Sequence, residues 1–478
     1  MTVPRHKTKI VATIGPASQS PAILEQLIRA GMSIARLNFS HGDFSEYEKV
    51  IANIRDASRR VGTTVAIMAD LPGPKMRVGR LAEEPIELRA GDYFTLTTED
   101  VPGTTSRVSV SFSRLPRVVK PGNRLFLNDG IIQLEVIAVG SDDVRCKVIA
   151  GGELRSRKGL NIPGIDLGIR AFTERDHVCL EFALKHGVDA VSQSFVDRAS
   201  DIEAVRNAAN ALGGAPFIIA KIERSTALAN IDEILRAADG IMVARGDLGV
   251  EIPIERIAIT QKQLMLRANL LGKPVITATQ MLESMTEHRL PTRAEATDVA
   301  NAIIDGTDCV MLSGESATGK YPVEAVAMLA KIAEATEKEL PRRYVREALQ
   351  AFGREHPVSP HDLISLSVEA MLKYMTPGVI VVPTRSGATA RSVARFRFPV
   401  WIAGVTSDEA TRTQLLFSYG VLPFLVATPP DDWNAYTRER LSAMPIDTAI
   451  LIEGPSPRRP DANHRIEILD LRRSRNTG

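Results

Sequence analysis

Two acidic residues and a lysine follow short apolar runs near the middle of the chain. Lys221 and Glu223 end the run that begins at residue 217, and they point to the same side because the side chains of a strand alternate between its faces. Asp247 follows the next run, residues 240–244. A buried charge is costly unless it meets a partner, a metal ion or the mouth of a cavity. Two acids and a lysine at successive strand ends therefore indicate a hard metal ion beside an anionic substrate.

Other polar residues fit the same interpretation, and some of these residues also have a simpler structural explanation. A salt bridge from Lys221 to one acid explains that pair equally well, and only the placement at adjacent strand ends favours the metal site. Arg36 ends another apolar run, where an anion clamp is favoured over a surface ion pair. Gly246 lets backbone N–H groups approach a carboxylate or phosphate. Thr279 adds a hydroxyl at a further strand end.

The elements that position these residues alternate between strand-like and helix-like segments. Eight short apolar runs occupy residues 8–14, 33–37, 64–69, 190–195, 217–220, 240–244, 274–278 and 309–312. Helix-length segments, such as residues 44–60, 198–212 and 254–271, separate most of them. Eight βα repeats predict a (β/α)₈ barrel, with its active site at the carboxyl ends of the strands. The polar residues expected at those ends are Asn38, His41, Asp70, Ser194, Glu223, Asp247, Thr279 and Glu315.

The barrel pattern, residues 1–71 and 169–341, is interrupted after its third strand. Residues 72–168 are rich in β-branched runs and turn signals, including the hairpin signal at residues 128–130 (NDG). They predict a small inserted β-barrel that overhangs the catalytic face and acts as a lid. Residues 355–478 contain further strand-like runs separated by a helix, which predicts a C-terminal α/β domain with a mostly parallel sheet.

Composition narrows the class of protein. The 478 residues carry a net charge of +2 and only 5% aromatic residues, which argues against nucleic-acid binding. No apolar run approaches the ~20 residues of a membrane span, and the first residues lack the apolar core of a signal peptide. Three widely spaced cysteines, Cys146, Cys179 and Cys309, form neither a disulfide framework nor a zinc motif. A reducing, cytoplasmic location is expected.

Two glycine-containing segments suggest phosphate binding, and only one is retained. Residues 314–320 (GESATGK) have the spacing of a P-loop, but Tyr321 stands where a P-loop needs Ser or Thr, and the segment lies within the barrel pattern. Another segment follows a strand and precedes a predicted helix, so it fits a phosphate pocket and simple helix capping equally well. Its candidate effector residues are Thr384, Arg385, Ser386, Gly387 and Thr389.

Together these residues and their order resemble the pyruvate kinase family over nearly the whole chain. The matching motifs are residues 13–18 (TIGPAS), 35–42 (ARLNFSHG), 219–223 (IAKIE), 242–251 (MVARGDLGVE) and 279–285 (TQMLESM). The resemblance implies phosphoryl transfer from phosphoenolpyruvate to ADP, giving pyruvate and ATP. Such a transfer is catalysed mainly by positioning and by cations. It also implies a homotetramer.

The resemblance assigns a role to each matching residue. Glu223 and Asp247 hold Mg²⁺ or Mn²⁺, Lys221 lies where charge builds on the phosphoryl group and the enolate, and Arg36 contacts the moving phosphate. The substrate carboxylate is bound by the backbone N–H groups of Gly246 and Asp247 with Thr279, which also helps to protonate the enolate carbon. The nucleotide phosphates are contacted by Arg77 and Lys158.

The chain departs from the family at its potassium site. Many members bind K⁺ through residues that match Asn38, Ser40 and Asp70 and through a threonine after that Asp. Here Leu71 follows Asp70, and Lys75 replaces the family's glutamate. A lysine ammonium is a compact permanent cation, so we expect Lys75 to supply the charge that K⁺ supplies elsewhere. The alternative is a solvated lysine at the hinge of the lid.

A second departure concerns regulation. The glycine- and threonine-rich loop of members that bind sugar bisphosphates is replaced by residues 453–460 (EGPSPRRP). A phosphorylated effector therefore stays plausible, whereas fructose 1,6-bisphosphate is disfavoured. Two other functions remain open at this level: a barrel lyase or aldolase that binds an enolate on Mg²⁺, and a regulatory protein that keeps the fold without activity. The intact set of Arg36, Lys221, Glu223, Asp247 and Thr279 disfavours the latter.

Overall fold

The chain folds into three parts built around four sheets. The computed structural model describes residues 4–40, 42–340, 344–355, 358–442, 444–455 and 463–472. Its strands are β1 (Lys9–Thr13), β2 (Met32–Asn38), β3 (Ala66–Leu71), β4 (Ile86–Leu88), β5 (Tyr93–Thr97), β6 (Arg107–Ser109), β7 (Arg124–Leu127), β8 (Ile132–Val139), β9 (Asp143–Ala150), β10 (Gly152–Leu154), β11 (Leu160–Asn161), β12 (Ala190–Gln193), β13 (Phe217–Ile222), β14 (Gly240–Ala244), β15 (Val275–Ala278), β16 (Cys309–Leu312), β17 (Val379–Pro383), β18 (Trp401–Thr406), β19 (Val421–Leu425), β20 (Thr448–Glu453) and β21 (Arg465–Asp470).

Helices follow most of the barrel strands. The α-helices are α1 (Pro21–Ala30), α2 (Phe44–Val61), α3 (Leu115–Val118), α4 (Glu174–Lys185), α5 (Ala199–Ala211), α6 (Ser225–Ala229), α7 (Ile231–Ala237), α8 (Arg245–Glu251), α9 (Ile257–Leu270), α10 (Arg293–Ile304), α11 (Gly314–Ala317), α12 (Pro322–Thr336), α13 (Tyr344–Glu355), α14 (Pro360–Met371), α15 (Ala388–Ala394), α16 (Glu409–Gln414) and α17 (Trp433–Leu441). Short 3₁₀ turns occupy Ile254–Arg256, Glu283–Thr286, Glu337–Glu339 and Leu415–Phe417.

Local sequence explains where several helices begin. Ser20 caps α1, whose first residue is proline, and Asp43 caps α2 by accepting a hydrogen bond from the Glu46 amide. Capping boxes begin α4 at Thr173 and α10 at Thr292. Such caps satisfy amide groups that the first helical turn leaves without partners.

The predicted barrel is confirmed. Eight strands pair in parallel and close in the order β1-β16-β15-β14-β13-β12-β3-β2. Strand β3 pairs directly with β12, in the register Asp70 to Ser192, although the inserted segment separates them along the chain. The insertion after the third strand therefore leaves the barrel closed, and the carboxyl ends of all eight strands face the same side.

The inserted segment forms the predicted small β-barrel. Six strands pair in the order β11-β7-β8-β9-β5-β6, and β4 pairs with β10 in a separate two-stranded sheet. Residues 76–79 hydrogen-bond to both edges of the six-stranded sheet: the Val78 amide donates to Lys158 O at 2.9 Å, and the Gly79 amide donates to Ser109 O at 2.7 Å. The sheet therefore has little open edge, and it encloses its own apolar core.

The C-terminal sheet is mostly parallel, as predicted. Its order is β19-β18-β17-β20-β21, and only β21 runs antiparallel to its neighbour. This part of the chain also closes the base of the barrel. Leu416 and Phe417 lie in the apolar cluster of the barrel interior, and the Phe417 ring stacks on Phe217 with centroids 5.2 Å apart.

A buried ion pair holds the same interface. Asp308, 4% exposed at the start of β16, accepts hydrogen bonds from Arg397 Nη1 at 3.0 Å and from Arg397 Nη2 at 2.9 Å. The amides of Tyr419 and Val275 donate to the same carboxylate at 2.9 Å and 3.0 Å. Asp308 therefore links two barrel strands to the C-terminal sheet through four hydrogen bonds.

Some predicted segments differ from the structure or lie outside it. The predicted helix at residues 254–271 begins as a 3₁₀ turn before α9, and the short helix α8 precedes it. The boundary at residues 341–343 and 356–357, and most of the loop at residues 453–460, lie outside the described residues, as does His41. Within the described part of the chain, no helix combines the length and apolar character that a bilayer span requires.

Truncating Phe417 tests how firmly the C-terminal part is attached. Phe417→Ala leaves a cavity at the base of the barrel and should cost about 3–5 kcal/mol, which lowers the thermal midpoint by on the order of 10 °C. Phe424→Ala is the matched control because Phe424 is 39% exposed, and its midpoint should move by less than about 2 °C. Scanning calorimetry compares the two. Equal shifts would contradict the anchoring role of Phe417.

Candidate active site

A buried series of alternating charges lies at the carboxyl ends of β2, β3 and β13. Arg36 Nη2 lies 2.5 Å from Asp70 Oδ2, and Lys221 Nζ lies 3.2 Å from Asp70 Oδ1. Lys221 Nζ also lies 3.0 Å from Glu223 Oε1. All four side chains are at most 11% exposed. The two cations predicted to meet substrate are thus held by shared carboxylates at neighbouring strand ends.

Hydroxyl groups from other strands complete these contacts. Thr13 Oγ1 accepts from Arg36 Nη1 at 2.8 Å, and Ser192 Oγ donates to Asp70 Oδ1 at 2.7 Å. Ser194 Oγ accepts from Lys221 Nζ at 2.7 Å and donates to Leu71 O at 2.7 Å. Sequence reasoning named Ser194 but missed Thr13 and Ser192 as members of this site. Their alternation on barrel strands was the only signal that could have pointed to them.

These contacts fix the charge of Asp70 and Lys221. Burial alone would raise the pKa of the Asp70 carboxyl, but Lys221 and Arg36 bring that pKa below its usual value. Burial likewise opposes the Lys221 ammonium, yet Asp70 and Glu223 raise its pKa above the usual value. Lys221 is therefore a permanent cation at neutral pH, suited to stabilising negative charge rather than to removing a proton.

Glu223 is the residue of this series whose charge is least favoured. Burial raises its pKa, and the nearby charges of Asp247 and Asp70 add to that rise, whereas Lys221 and the Phe195 amide oppose it. The Phe195 amide donates to Glu223 Oε2 at 2.8 Å. Two carboxylates that repel each other at neighbouring strand ends form a donor set that suits a divalent cation.

The number of acidic groups also suits a particular kind of metal site. Within the described ranges, no group of three or more His, Cys, Asp or Glu side chains is arranged to enclose a metal. Mg²⁺ usually takes one or two carboxylates and completes its shell with water and substrate oxygens. Glu223 and Asp247 fit that pattern, whereas a closed structural metal site would need more protein ligands.

Thr279 and Gly246 meet where β14 and β15 end. The Gly246 amide donates to Thr279 Oγ1 at 2.8 Å, and that hydroxyl donates to Ala278 O at 2.7 Å. Thr279 and Gln280 both adopt positive φ angles, +67° and +53°, which non-glycine residues rarely do. Gly246 is exposed and Thr279 is half-buried, so neither residue is enclosed in the barrel core.

The cleft lies between the barrel face and the inserted barrel. Its walls include Asp129 from the inserted barrel and Arg224, Asp247 and Glu251 from the main barrel, together with Lys75 from the connection between them. Arg224 Nη2 also donates to Ile165 O at 2.9 Å. Ile165 lies in the segment that leads from the inserted domain back to the main barrel. Asp247 therefore lies in a cleft wall that faces the inserted domain.

The four residues of the predicted potassium-related site divide into two places. Asn38 pairs in register with Asp70, and the Ser40 amide donates to Asn38 Oδ1 at 3.3 Å, so these three lie together. Lys75 is exposed and lines the cleft beside Asp247. The ion pairs of Asp70 within the described chain are with Arg36 and Lys221.

The two predicted nucleotide contacts lie side by side. Arg77 pairs with Gly159 in an antiparallel bridge, and the Val78 amide donates to Lys158 O, so Arg77 and Lys158 flank the closing seam of the inserted barrel. Arg77 Nη1 donates to Arg157 O at 2.8 Å. The seam reaches the cleft, because Gly159 belongs to the cleft wall.

The remaining candidates lie away from the charge series. Glu315 is fully buried and accepts from the amides of Leu282 and Ser313, so it supports the backbone. Lys320 of the rejected P-loop segment pairs with Glu287 on the surface.

The candidate effector segment forms a turn. Gly387 has a φ of +77°, and its amide donates to Thr384 Oγ1 at 2.9 Å. Thr384, Arg385 and Ser386 precede that turn, and Thr389 lies in α15.

Comparison with known proteins agrees with this geometry. The family model for the pyruvate kinase barrel domain matches residues 5–326, and the model for the pyruvate kinase alpha/beta domain matches residues 362–451. The chain belongs to the pyruvate kinase family. As members of that family act on phosphoenolpyruvate and ADP, these are the substrates implied for this chain. The lyase and binding-protein alternatives are thereby set aside.

Individual relatives extend over most of the chain. The pyruvate kinase of Thermococcus litoralis is 49% identical over 427 residues, which cover 89% of this chain and 90% of the relative. The pyruvate kinase of Geobacillus stearothermophilus is 47% identical over 420 residues, covering 87% of this chain and 71% of the relative. The crystal structure of a Cryptosporidium parvum pyruvate kinase superposes with a TM-score of 0.90 at 36% identity, covering 98% of this chain and 96% of that one.

The raised pKa of Glu223 predicts a pH dependence of stability in metal-free protein. A carboxyl whose folded pKa exceeds its unfolded value of about 4.3 contributes stability at low pH. That contribution falls by up to about 1.4 kcal/mol per pH unit as the pH rises from 4.3 through the folded pKa. Glu223→Gln removes this loss of stability. In EDTA, the thermal midpoint of the variant minus that of the parent should therefore increase with pH.

Thermal melts at several pH values above 4.3 provide the measurement. Glu255→Gln is the control, because Glu255 is exposed, and its midpoint should follow the parent at every pH. A constant difference between Glu223→Gln and the parent across the range would contradict the buried, repelled state of Glu223.

Proposed function

We propose that the protein transfers the phosphoryl group of phosphoenolpyruvate to ADP with Mg²⁺ or Mn²⁺ and without a requirement for K⁺. The buried series Arg36–Asp70–Lys221–Glu223 is the observation that carries the proposal. The series offers two permanent cations to an anionic substrate. It ends in the Glu223 carboxylate, whose negative charge is disfavoured unless another cation binds beside it. Phosphoryl transfer depends on such positioning and charge compensation rather than on covalent catalysis by the protein.

Glu223 and Asp247 are the proposed ligands of the divalent ion. When bound, the ion neutralises charge on the phosphoryl and enolate oxygens and helps to orient the substrate. Burial raises the pKa of Glu223, and repulsion from Asp247 and Asp70 adds to that rise, so a divalent ion held by this carboxylate would take the place of a proton. The Phe195 amide restrains Glu223 through Oε2, so the carboxylate is already oriented.

Arg36 and Lys221 act during the transfer itself. The bond from phosphorus to the enol oxygen breaks, the bond to a terminal phosphate oxygen of ADP forms, and the enolate of pyruvate is left behind. Arg36 faces the moving phosphoryl group, and Lys221 stabilises charge on that group and on the enolate oxygen. Their fixed positions on Asp70 cost no reorganisation at the moment of reaction, which favours catalysis by preorganised charge.

The substrate carboxylate is assigned to the edge formed by Thr279, Gly246 and Asp247. The Gly246 amide now donates to Thr279 Oγ1 at 2.8 Å, and that hydroxyl donates to Ala278 O; a bound carboxylate takes the place of both acceptors. The backbone amide of Asp247 supplies a third donor. Thr279 then stands beside the enolate carbon and helps to deliver the proton that converts enolate to pyruvate, directly or through water.

Lys75 is the proposed built-in replacement for K⁺. Leu71 offers no side-chain hydroxyl to a cation, and its carbonyl already accepts from Ser194. Lys75 is exposed at the rim of the cleft, where its long side chain can turn toward bound substrate. In that position a lysine places a permanent charge near the transferred group.

Arg77 and Lys158 are the proposed contacts of the ADP phosphates. Both flank the seam at which the inserted barrel reaches the cleft. We also propose a homotetramer, a cytoplasmic location and a phosphorylated effector bound near Thr384, Arg385, Ser386, Gly387 and Thr389. The three buried free cysteines are consistent with a reducing compartment.

Charge reversal at Lys75 tests potassium independence. The parent should form pyruvate at the same rate in tetramethylammonium buffer and in K⁺. Lys75→Glu should lose about 10- to 100-fold in kcat without K⁺ and regain most of that rate when K⁺ is added, because the charge is then supplied from solution. Coupled assays of pyruvate formation with Mg²⁺ give the rates.

Lys147→Glu is the matched control. Lys147 is an exposed lysine on β9 of the same inserted domain, and its reversal should leave both rates unchanged. Equal activity of Lys75→Glu and the parent in both buffers would refute the role of Lys75, and a parent that needs K⁺ would refute potassium independence.

Removing one carboxylate tests the divalent site. In the parent, Mg²⁺ should raise the thermal midpoint by an amount that grows with its concentration. In Asp247→Asn this shift should vanish at the same concentrations, and kcat should fall about 100-fold or more. Asp232→Asn, on an exposed surface pair with Arg267, should behave as the parent. A full Mg²⁺ shift in Asp247→Asn would exclude that carboxylate as a ligand.

A further inference from the structure

The end of β15 is held in a backbone conformation that its own residues disfavour. Thr279 and the next residue, Gln280, have φ angles of +67° and +53°. Threonine is β-branched, so a positive φ is strained for it, and the surrounding structure must impose it. Strand β15 ends at Ala278, and the backbone carbonyl groups at and beyond this end need donors other than the barrel ladder.

The Arg245 side chain contacts the three carbonyl groups of residues 278–280, and the Thr279 hydroxyl also donates to Ala278 O. Arg245 Nη2 donates to Thr279 O at 2.7 Å and reaches Gln280 O at 3.4 Å, and Nε donates to Ala278 O at 3.3 Å. The Arg245 side chain is only 10% exposed. A single guanidinium therefore contacts three consecutive carbonyls of the strained segment.

A carboxylate from a neighbouring helix orients that guanidinium. Asp298 of α10 lies 2.7 Å from Arg245 Nη1 through Oδ2 and accepts from it through Oδ1 at 2.8 Å. Gln261 of α9 lies 3.4 Å from the same nitrogen. The guanidinium plane is thus fixed from the side opposite the carbonyls, which leaves it little freedom to rotate.

The position of Arg245 along the chain makes this arrangement relevant to the reaction. Arg245 immediately precedes Gly246 and Asp247, which carry the proposed donors to the substrate carboxylate and the proposed metal ligand. Its backbone begins α8 directly after β14, and its side chain contacts the backbone at the end of β15. It therefore fixes the distance between the Gly246 amide and the Thr279 hydroxyl, now 2.8 Å.

We propose that Arg245 is a positioning residue that acts through Thr279. Its guanidinium holds residues 278–280 against the start of α8, so that the Thr279 hydroxyl and the Gly246 amide form one edge that binds the carboxylate of the substrate. The proposal rests on the role assigned to Thr279 under the proposed function. Lysine cannot replace the guanidinium, because an ammonium is a compact charge without the planar fork that spans several carbonyls.

The experiment is a double-mutant cycle read out by substrate binding and by kinetics. Calorimetric titration of phosphoenolpyruvate in Mg²⁺ without ADP gives Kd for the parent, Arg245→Lys, Thr279→Ala and the double variant. Thr279→Ala and Arg245→Lys should each raise Kd about ten-fold. In the Thr279→Ala background, Arg245→Lys should raise Kd by no more than about three-fold, because its effect is transmitted through the missing side chain.

Kinetics separate positioning from a general loss of structure. Arg245→Lys should raise KM for phosphoenolpyruvate about ten-fold and leave KM for ADP within about two-fold, since the nucleotide contacts lie on the inserted barrel. Arg267→Lys is the matched control, because Arg267 lies on α9 with a 51% exposed side chain, and both constants should stay within about two-fold of the parent.

Each outcome decides between the two claims. If Thr279→Ala leaves Kd unchanged, the role of Thr279 is overturned and the proposal falls with it. If Thr279→Ala weakens binding but the effect of Arg245→Lys persists in full in the double variant, only the positioning role is overturned. Asp298→Asn, which loosens the same guanidinium, replaces Arg245→Lys in the cycle if that variant does not fold, and the same coupling is expected.

Discussion

The carboxylate of Asp70 is the constraint around which the active site is organised. It lies at the end of β3, is 1% exposed, and receives Arg36 from β2, Lys221 from β13 and Ser192 from β12. Two cations that would repel each other are thereby kept side by side at the barrel mouth. Removing such a shared buried partner leaves both charges uncompensated, which costs far more than an exposed salt bridge contributes.

The fold as a whole serves to keep that arrangement rigid and covered. Barrel closure between β3 and β12 sets the distance from Asp70 to Ser192, and the domain inserted at that same point forms one wall of the cleft that Asp247 lines. At the opposite end, Phe417 of the C-terminal part packs into the barrel interior, and Asp308 of the barrel accepts hydrogen bonds from Arg397 and Tyr419. Charge compensation works best where water is excluded and hydrogen-bond donors are fixed. Barrel closure, the inserted domain and the C-terminal part each contribute to these conditions.

Sequence reasoning predicted those site residues whose relative positions follow from the local periodicity of one strand. Lys221 and Glu223 are two residues apart on a buried strand, so their common face followed directly from strand geometry. Strand alternation alone does not say which residues Thr13 and Ser192 meet, because only the register of β1 with β2 and of β3 with β12 brings them to Arg36 and Asp70. The base contact of Phe417 depends likewise on long-range packing. The cleft-facing position of Lys75 depends on the path of the loop after β3, and residue propensities do not determine that path.

The activity of Asp70→Asn is the most direct test of the central claim that this carboxylate holds the catalytic cations. With Mg²⁺, phosphoenolpyruvate and ADP, Asp70→Asn should lower kcat/KM for phosphoenolpyruvate by about 100-fold or more, because Arg36 and Lys221 lose the carboxylate that both of them bind. Ser192→Ala, which removes one hydrogen bond from the same carboxylate, should lose far less. A folded Asp70→Asn enzyme with kcat/KM within about three-fold of the parent would contradict the account.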